Sequence, residues 1–241
     1  MKAVFFEADI TPPLGTDRPA CARKLKIEAY SDPLKVRACV LESEDGKKAA
    51  IIGIDTTDTG EEFRRKIDGF FPGMEIIFSA SHTHYAGCLR DKFPGIETAD
   101  EMIRSIVEDH SVAHDPAYYA YGLRQTVTAV KEAEKRMVEA EFSFGTGKVE
   151  NLIFNRRIKM KNGRTYTHPG KGNPDKVDYA GPIDPEVNVL GAWRKDGSLI
   201  GCVINYACHG TCMCGTPGSH GDWFQYTDDV IKKLMGEKQA L

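Results

Sequence analysis

Hairpin signals that alternate with helical periods predict an α/β chain of the layered α+β kind, a mixed, largely antiparallel sheet or pair of sheets flanked by helices. Three observations carry this reading. Val36 to Ser43 and Ala49 to Ile54 are apolar, β-branched-rich runs around Glu44-Asp45-Gly46-Lys47, and the Asp-Gly step suits a tight antiparallel turn. Val187 to Arg194 and Leu199 to Tyr206 repeat the pattern around Lys195-Asp196-Gly197-Ser198. Between the hairpins lie apolar residues at helical spacing, so helices interleave with hairpins instead of following every strand. Two hairpins speak against an eight-fold β/α repeat. A chain of 241 residues, 41% hydrophobic, suits one or two domains, and a single domain over 1–241 is expected.

Taken in order, Ala3-Val4-Phe5-Phe6 opens a strand that ends at Asp9. Ile10-Thr11-Pro12-Pro13-Leu14-Gly15 must be loop, because paired prolines cannot donate to a ladder. Asp55 ends the second strand of the first hairpin, and Glu61 to Ile67 forms a short helix leading to Glu75-Ile76-Ile77-Phe78, read as a buried strand. Asp55 and His82 should therefore share a rim. Gly87 to Gly95 is irregular. Thr98-Ala99-Asp100-Glu101 reads as a capping box before Met102, Ile103, Ile106 and Val107, a short helix of a lid or insertion. Its His110, and His114 beyond it, read as packed or surface histidines. Asp115-Pro116 caps a longer helix whose buried stripe is Ala120, Leu123, Val127, Val130 and Met137. Phe142 and Phe144 alternate in a strand. Lys161 to Gly181, rich in Gly, Pro, Asn and Lys, reads as a long loop carrying a solvated His168. Asp222 to Met235 closes the chain as a helix with Trp223, Tyr226, Val230 and Leu234 on one side.

A net charge of −3 gives no argument for nucleic acid or a membrane surface, and no apolar run reaches spanning length. The first residues lack an apolar leader with a small-residue cleavage site, so a cytoplasmic protein is expected. Seven cysteines without framework spacing fit a reducing compartment. Cys208-His209-Gly210-Thr211-Cys212-Met213-Cys214 invites a structural zinc or iron–sulfur knot, but no second Cys/His pair stands at finger spacing.

Chemistry concentrates in Ser81-His82-Thr83-His84. In extended chain His82 and His84 share a side, with Thr83 turned away, so both imidazoles enter one cleft. Imidazole is a common zinc ligand, and one ring can bind metal while the other handles a proton or an oxyanion. A second apolar strand, Gly201 to Tyr206, delivers His209 in the same manner. Arg156, in Asn155-Arg156-Arg157, offers a fork of donors to a carboxylate or oxyanion. Asp55 has two open readings: it orients a ligating imidazole, or it caps the following helix.

In order along the chain, Asp9-Ile10-Thr11-Pro12-Pro13-Leu14-Gly15, Ser81-His82-Thr83-His84, Asn155-Arg156-Arg157, Gly181-Pro182-Ile183-Asp184-Pro185-Glu186-Val187, Asn205-Tyr206-Ala207-Cys208-His209, and Asp222 with Tyr226 carry a likeness. The sequence resembles the N-terminal domain of the neutral/alkaline (non-lysosomal) ceramidase family, as a short bacterial-type relative. The resemblance implies a zinc-dependent hydrolase of amide (N-acyl) bonds, with Zn2+ held by His82 and His209 and a metal-activated water attacking the carbonyl. His84 and Arg156 would stabilise the oxyanion, and the substrate would be a small-molecule or lipid-like N-acyl compound. Where that family continues with Ser-Gly-Pro and with Pro-Thr, this chain has Tyr85-Ala86-Gly87 and Gly210-Thr211, departures that bear on the pocket and hence on the substrate. Family members are longer and complete the metal site further downstream. The expectation is therefore a catalytic domain incomplete at its C-terminal end, a fragment weak or inactive alone, with self-association through the surface left uncovered. Asp222, His220 and Asp55 are the local candidates for a further ligand. The reading of another class is a non-catalytic binding or assembly domain that retains the fold.

Overall fold

The computed structural model describes residues 1–20, 23–93, 95–110, 115–213 and 215–235; His114 and Cys214 lie outside the described residues. Two compact units divide the chain: one of Met1–Ser143, Gly191–Cys202 and His209–Leu241, the other of Phe144–Leu190 and Val203–Cys208. In chain order the elements begin β1 (Lys2–Asp9), β2 (Asp17–Ala20), β3 (Arg23–Lys26), β4 (Ala29–Tyr30), β5 (Lys35–Glu42) and β6 (Lys48–Ile54). Then come α1 (Glu61–Phe70), β7 (Met74–Ala80), α2 (Glu101–His110), α3 (Pro116–Glu134), β8 (Val138–Glu139) and β9 (Glu141–Lys148). The remainder is β10 (Arg157–Met160), β11 (Thr165–Thr167), β12 (Lys176–Tyr179), β13 (Glu186–Trp193), β14 (Leu199–Tyr206), β15 (Gly218–Ser219) and α4 (Trp223–Met235). The mixed α/β class, with mostly antiparallel sheets, is the one the hairpin signals predict.

The first unit is built on a five-stranded sheet of order β7-β6-β5-β1-β8. The Asp45-Gly46 turn sets the β5–β6 register, Glu42 opposite Lys48, with Gly46 at φ 82°, where a side chain would be strained. β6 and β7 are parallel and joined through α1, since parallel neighbours need a crossover. This puts the segments after Ile54 and Ala80 on one rim. Strand alternation splits β1 between two cores. Val4, Phe6 and Ala8 belong to the cluster with Phe63 and Ile67 of α1 and Tyr118, Tyr119, Val127 and Val130 of α3. Ala3 and Phe5 belong to the other, with Leu41, Phe142, Ala192 and Ile200. Phe63 meets Phe78 and Tyr119 edge-on at ring centroids of 5.9 and 5.4 Å, which locks α1 and α3 onto the sheet.

A charged network fastens α4. Asp228 accepts from Lys35 at 2.9 Å and Lys232 at 3.0 Å, while Lys232 and Arg37 also pair with Glu7. Glu7 and Arg37 are cross-strand partners, so the sheet register presents opposite charges to the helix. Burial raises the Asp228 carboxyl's pKa, but the Lys35 and Lys232 hydrogen bonds and the Arg37 charge outweigh it, and the net shift is downward.

In the second unit β10 is the centre of a three-stranded sheet of order β11-β10-β12. Ile158 and Met160 are buried, and Phe154 and Tyr179 approach at 6.4 Å. A further sheet has the order β14-β13-β9.

Several local expectations are corrected. β7 is an edge strand of the described sheet, and alternation turns Ile77, 64% exposed, to the face opposite Ile76 and Phe78, which join the core. Asp100, not Thr98, caps α2, accepting from the Ile103 N–H at 2.8 Å; Thr98 turns back to the Gly95 carbonyl. Met102, Ile103 and Ile106 are exposed, and only Val107 of that helix is buried. On α3, capped by Asp115 as expected, Ala120 faces out, and Tyr118, Tyr119, Gly122 and Thr126 join Val127 and Val130 on the buried face. The Lys161 to Gly181 stretch contains β11 and β12, since Asn162-Gly163 makes a turn and Tyr166 and Tyr179 pair alongside Ile158. Asp55 does not cap α1, whose N-cap is Gly60, and it bonds no histidine among the described residues. Its Oδ2 takes the Lys35 N–H and the Arg37 guanidinium, both at 3.0 Å.

Candidate metal centre

The rim above β6 and β7 carries the first two histidines. They stand beyond the strand, which ends at Ala80, and His82 has φ 60°, in the left-handed region and not extended. Thr83 is turned inward and fully buried, its hydroxyl donating to the His220 carbonyl at 2.9 Å. His82 and His84 consequently open toward one side, with ring centroids 5.0 Å apart. The chain after β14 brings His209 to 4.7 Å from His82 and 5.1 Å from His84. β7 and β14 belong to different sheets, so loops, and not adjacent strand ends, make the meeting. Gly210 permits the approach: a Cβ there would lie 3.1 Å from the Ser81 carbonyl and 3.2 Å from the Phe224 ring.

One nitrogen from each of the three rings lies within 4.8 Å of the others, a spacing a single metal ion can bridge. The chemistry behind the rings fits such an ion. His82 Nδ1 faces the Thr57 carbonyl, which only accepts, so Nδ1 carries the proton and Nε2 keeps a lone pair. His209 Nδ1 is engaged by the Thr211 hydroxyl at 2.9 Å, and its Nε2 meets His84 Nε2 at 3.4 Å. Burial, then the neighbouring His82 and His209, lower the pKa of His84, with Asp222 opposing, so the ring favours its neutral form. His84 Nδ1 is buried without a hydrogen-bond partner among the described residues.

The other candidates for a ligand are committed elsewhere. His220 is fully buried, stacked on Tyr85 at 4.0 Å, with Nε2 on the Thr216 hydroxyl and Nδ1 accepting from the Asp222 N–H. Asp222 spends both oxygens on backbone N–H groups. Asp55 Oδ1 is buried without a partner among the described residues, but the carboxylate serves Arg37. Arg156 is an exposed residue of the second unit, where its carbonyl accepts from the His168 N–H at 3.1 Å. Thr57, Thr211 and Asp222 as supports escape motif reading; the signal for Thr57 is the parallel β6–β7 pairing, which sets the loop after Ile54 beside His82.

Fold and site together define a layered α/β domain with a three-imidazole cluster compatible with a metal ion. No family model matches the chain. The neutral ceramidase of Pseudomonas aeruginosa is 25% identical to it over 155 residues, 58% of this chain and 22% of that protein. A solved structure of neutral ceramidase from Pseudomonas aeruginosa superposes with a TM-score of 0.68 at 17% identity, covering 91% of this chain and 34% of that one. A ceramidase complexed with C2 gives 0.72 at 17%, covering 99% and 36%. The chain is a domain related to part of neutral ceramidase, and it spans about a fifth of the length of the curated relative it matches.

Among the described residues no helix is long and apolar enough to cross a membrane.

Proposed function

We propose that this chain supplies the histidine centre of a zinc-dependent hydrolase of amide (N-acyl) bonds, ceramidase-like in reaction and acting on a lipid-like substrate in the cytoplasm. The observation that carries the reading is the convergence of His82, His84 and His209 within 4.8 Å, with His82 Nδ1 and His209 Nδ1 already engaged behind. On this reading His82 and His209 hold the ion through Nε2. Zinc bound there supplies a water of lowered pKa and a positive charge for the developing oxyanion. His84, kept neutral by burial and by its two neighbours, donates from Nε2 to the oxyanion. The Thr57 carbonyl sets the tautomer of His82, and the Thr211 hydroxyl holds the His209 ring in place. The likeness to the Pseudomonas enzyme supports amide hydrolysis as the reaction kind.

Because the chain matches only part of that enzyme's length, we propose that it is weak or inactive alone. The test is to purify the chain by itself and within a longer polypeptide, supply zinc, and measure bound metal and the release of fatty acid from an N-acyl sphingoid base. Stoichiometric zinc, with turnover in the longer polypeptide, is expected. No zinc in either form would sink the metal reading. Zinc without hydrolysis of any N-acyl substrate would favour a non-catalytic binding domain.

A further inference from the structure

The two histidine loops share one support. Thr83, between His82 and His84, gives its hydroxyl to the His220 carbonyl, and Asp222, two residues on, binds the loop that follows His209. Asp222 Oδ1 accepts the Cys212 N–H at 3.2 Å and the Trp223 N–H at 2.8 Å, and Oδ2 accepts the Met213 N–H at 3.2 Å. The same carboxylate therefore links the first residue of α4 to residues 212–213. Thr211, the next residue back, has its N–H on the His209 carbonyl at 3.0 Å and its hydroxyl on His209 Nδ1 at 2.9 Å. Asp222 is fully buried and sits at φ 58°, a conformation that costs free energy for a residue with a side chain and that persists where surrounding contacts over-determine it. A helix cap alone needs neither complete burial nor a second oxygen turned to a distant loop.

We propose that Asp222 is a positioning residue of the metal centre: its carboxylate fixes the loop after His209, and through the Thr211 hydroxyl it holds the His209 imidazole with Nε2 facing the other two rings. The inference rests on the metal reading above for its consequence, but the ring orientation is a property of the metal-free chain.

The test compares Asp222→Asn, Thr211→Val and Thr211→Ser with the unchanged chain and with Asp115→Ala, a cap substitution on α3 that loosens the fold away from the centre. Asparagine tolerates the left-handed conformation and keeps one accepting oxygen, so Asp222→Asn isolates the loss of the other. Two quantities are read: the His209 tautomer in the metal-free protein, by nitrogen-15 imidazole NMR, and zinc affinity, by competition with a chromophoric chelator. Asp222→Asn and Thr211→Val should each shift the tautomer balance of His209 and weaken zinc binding about 10–100-fold. Thr211→Ser should restore both, and Asp115→Ala should alter neither. An unchanged His209 tautomer in Asp222→Asn overturns the proposal whether or not zinc binds. So does an equal loss in Asp115→Ala, which would make the effect one of stability. Tautomer changes as expected in a chain that binds no zinc would uphold the positioning role and overturn the metal reading instead.

Discussion

At the scale of single residues, the three imidazoles are not equivalent, and substitution should separate them. His82 and His209 each have an Nδ1 engaged behind the ring, whereas His84 Nδ1 has no described partner. His82→Ala and His209→Ala should therefore abolish stoichiometric zinc, while His84→Ala keeps most of it and loses turnover in a polypeptide able to catalyse. Elemental analysis after dialysis checks this; equal metal loss in all three variants would make His84 a third ligand. The pair His82 and His84 was legible in the sequence because H-x-H follows an apolar run, and His209 because a second apolar run precedes it. Their supports were not legible, since a backbone carbonyl such as that of Thr57 leaves no mark in residue type. Gly87 is a residue-scale case of packing: a Cβ there would meet the buried Tyr118 ring at 2.5 Å, and that ring is tethered through its hydroxyl to the Ile10 carbonyl at 2.7 Å. Gly87→Ala should cost about 1–3 kcal/mol in chemical denaturation, the usual range for an overpacked core.

At the scale of elements, the sequence revealed what local chemistry decides. The Asp45-Gly46 turn, the β5–β6 pairing and the Asp115-Pro116 start of α3 follow from residue types within a few positions of one another. Which face of an element is buried depends on partners distant in sequence, and there the reading failed: Ala120 of α3 faces out, and α2 presents Met102, Ile103 and Ile106 outward. β11 and β12 were hidden because three- and four-residue strands between turns have the composition of a loop. The attachment of α4 through Asp228 gives a prediction with a definite sign. The folded carboxyl titrates below its ordinary value of 3.8, so its contribution is fully present above that pH and is lost as the pH falls through the lower, folded value. Asp228→Asn should lower stability by about 1.5–3 kcal/mol at neutral pH, the range for hydrogen bonds to a charged group. The deficit should shrink below pH 3.8; one of the same size at pH 3 would mean that Asp228 packs α4 without ionic help.

At the scale of the whole molecule, charge and apolar surface decide behaviour in solution. A formal net charge of −3 over 241 residues gives little mutual repulsion between copies. Meanwhile α4 exposes Tyr226 at 49%, Val230 at 54% and Leu234 at 76%, an i, i+4, i+8 row on one side of the helix. The sequence reading placed these residues on a common side but could not say whether that side met the core. The core-facing work of α4 is done instead by Gln225, Asp228 and Lys232, through the charged contacts to β1 and β5. A continuous apolar row left in water is stabilised when a second copy covers it. The chain alone should therefore self-associate as its concentration rises through the micromolar range, as followed by sedimentation velocity. Val230→Glu with Leu234→Glu should reduce that association without lowering the melting temperature, because neither side chain is buried in the fold. A chain that stays monomeric at every concentration would remove α4 as a self-association surface. Association unaffected by the double substitution would move the contact to another exposed apolar face, the first to test being Met102, Ile103 and Ile106 on α2.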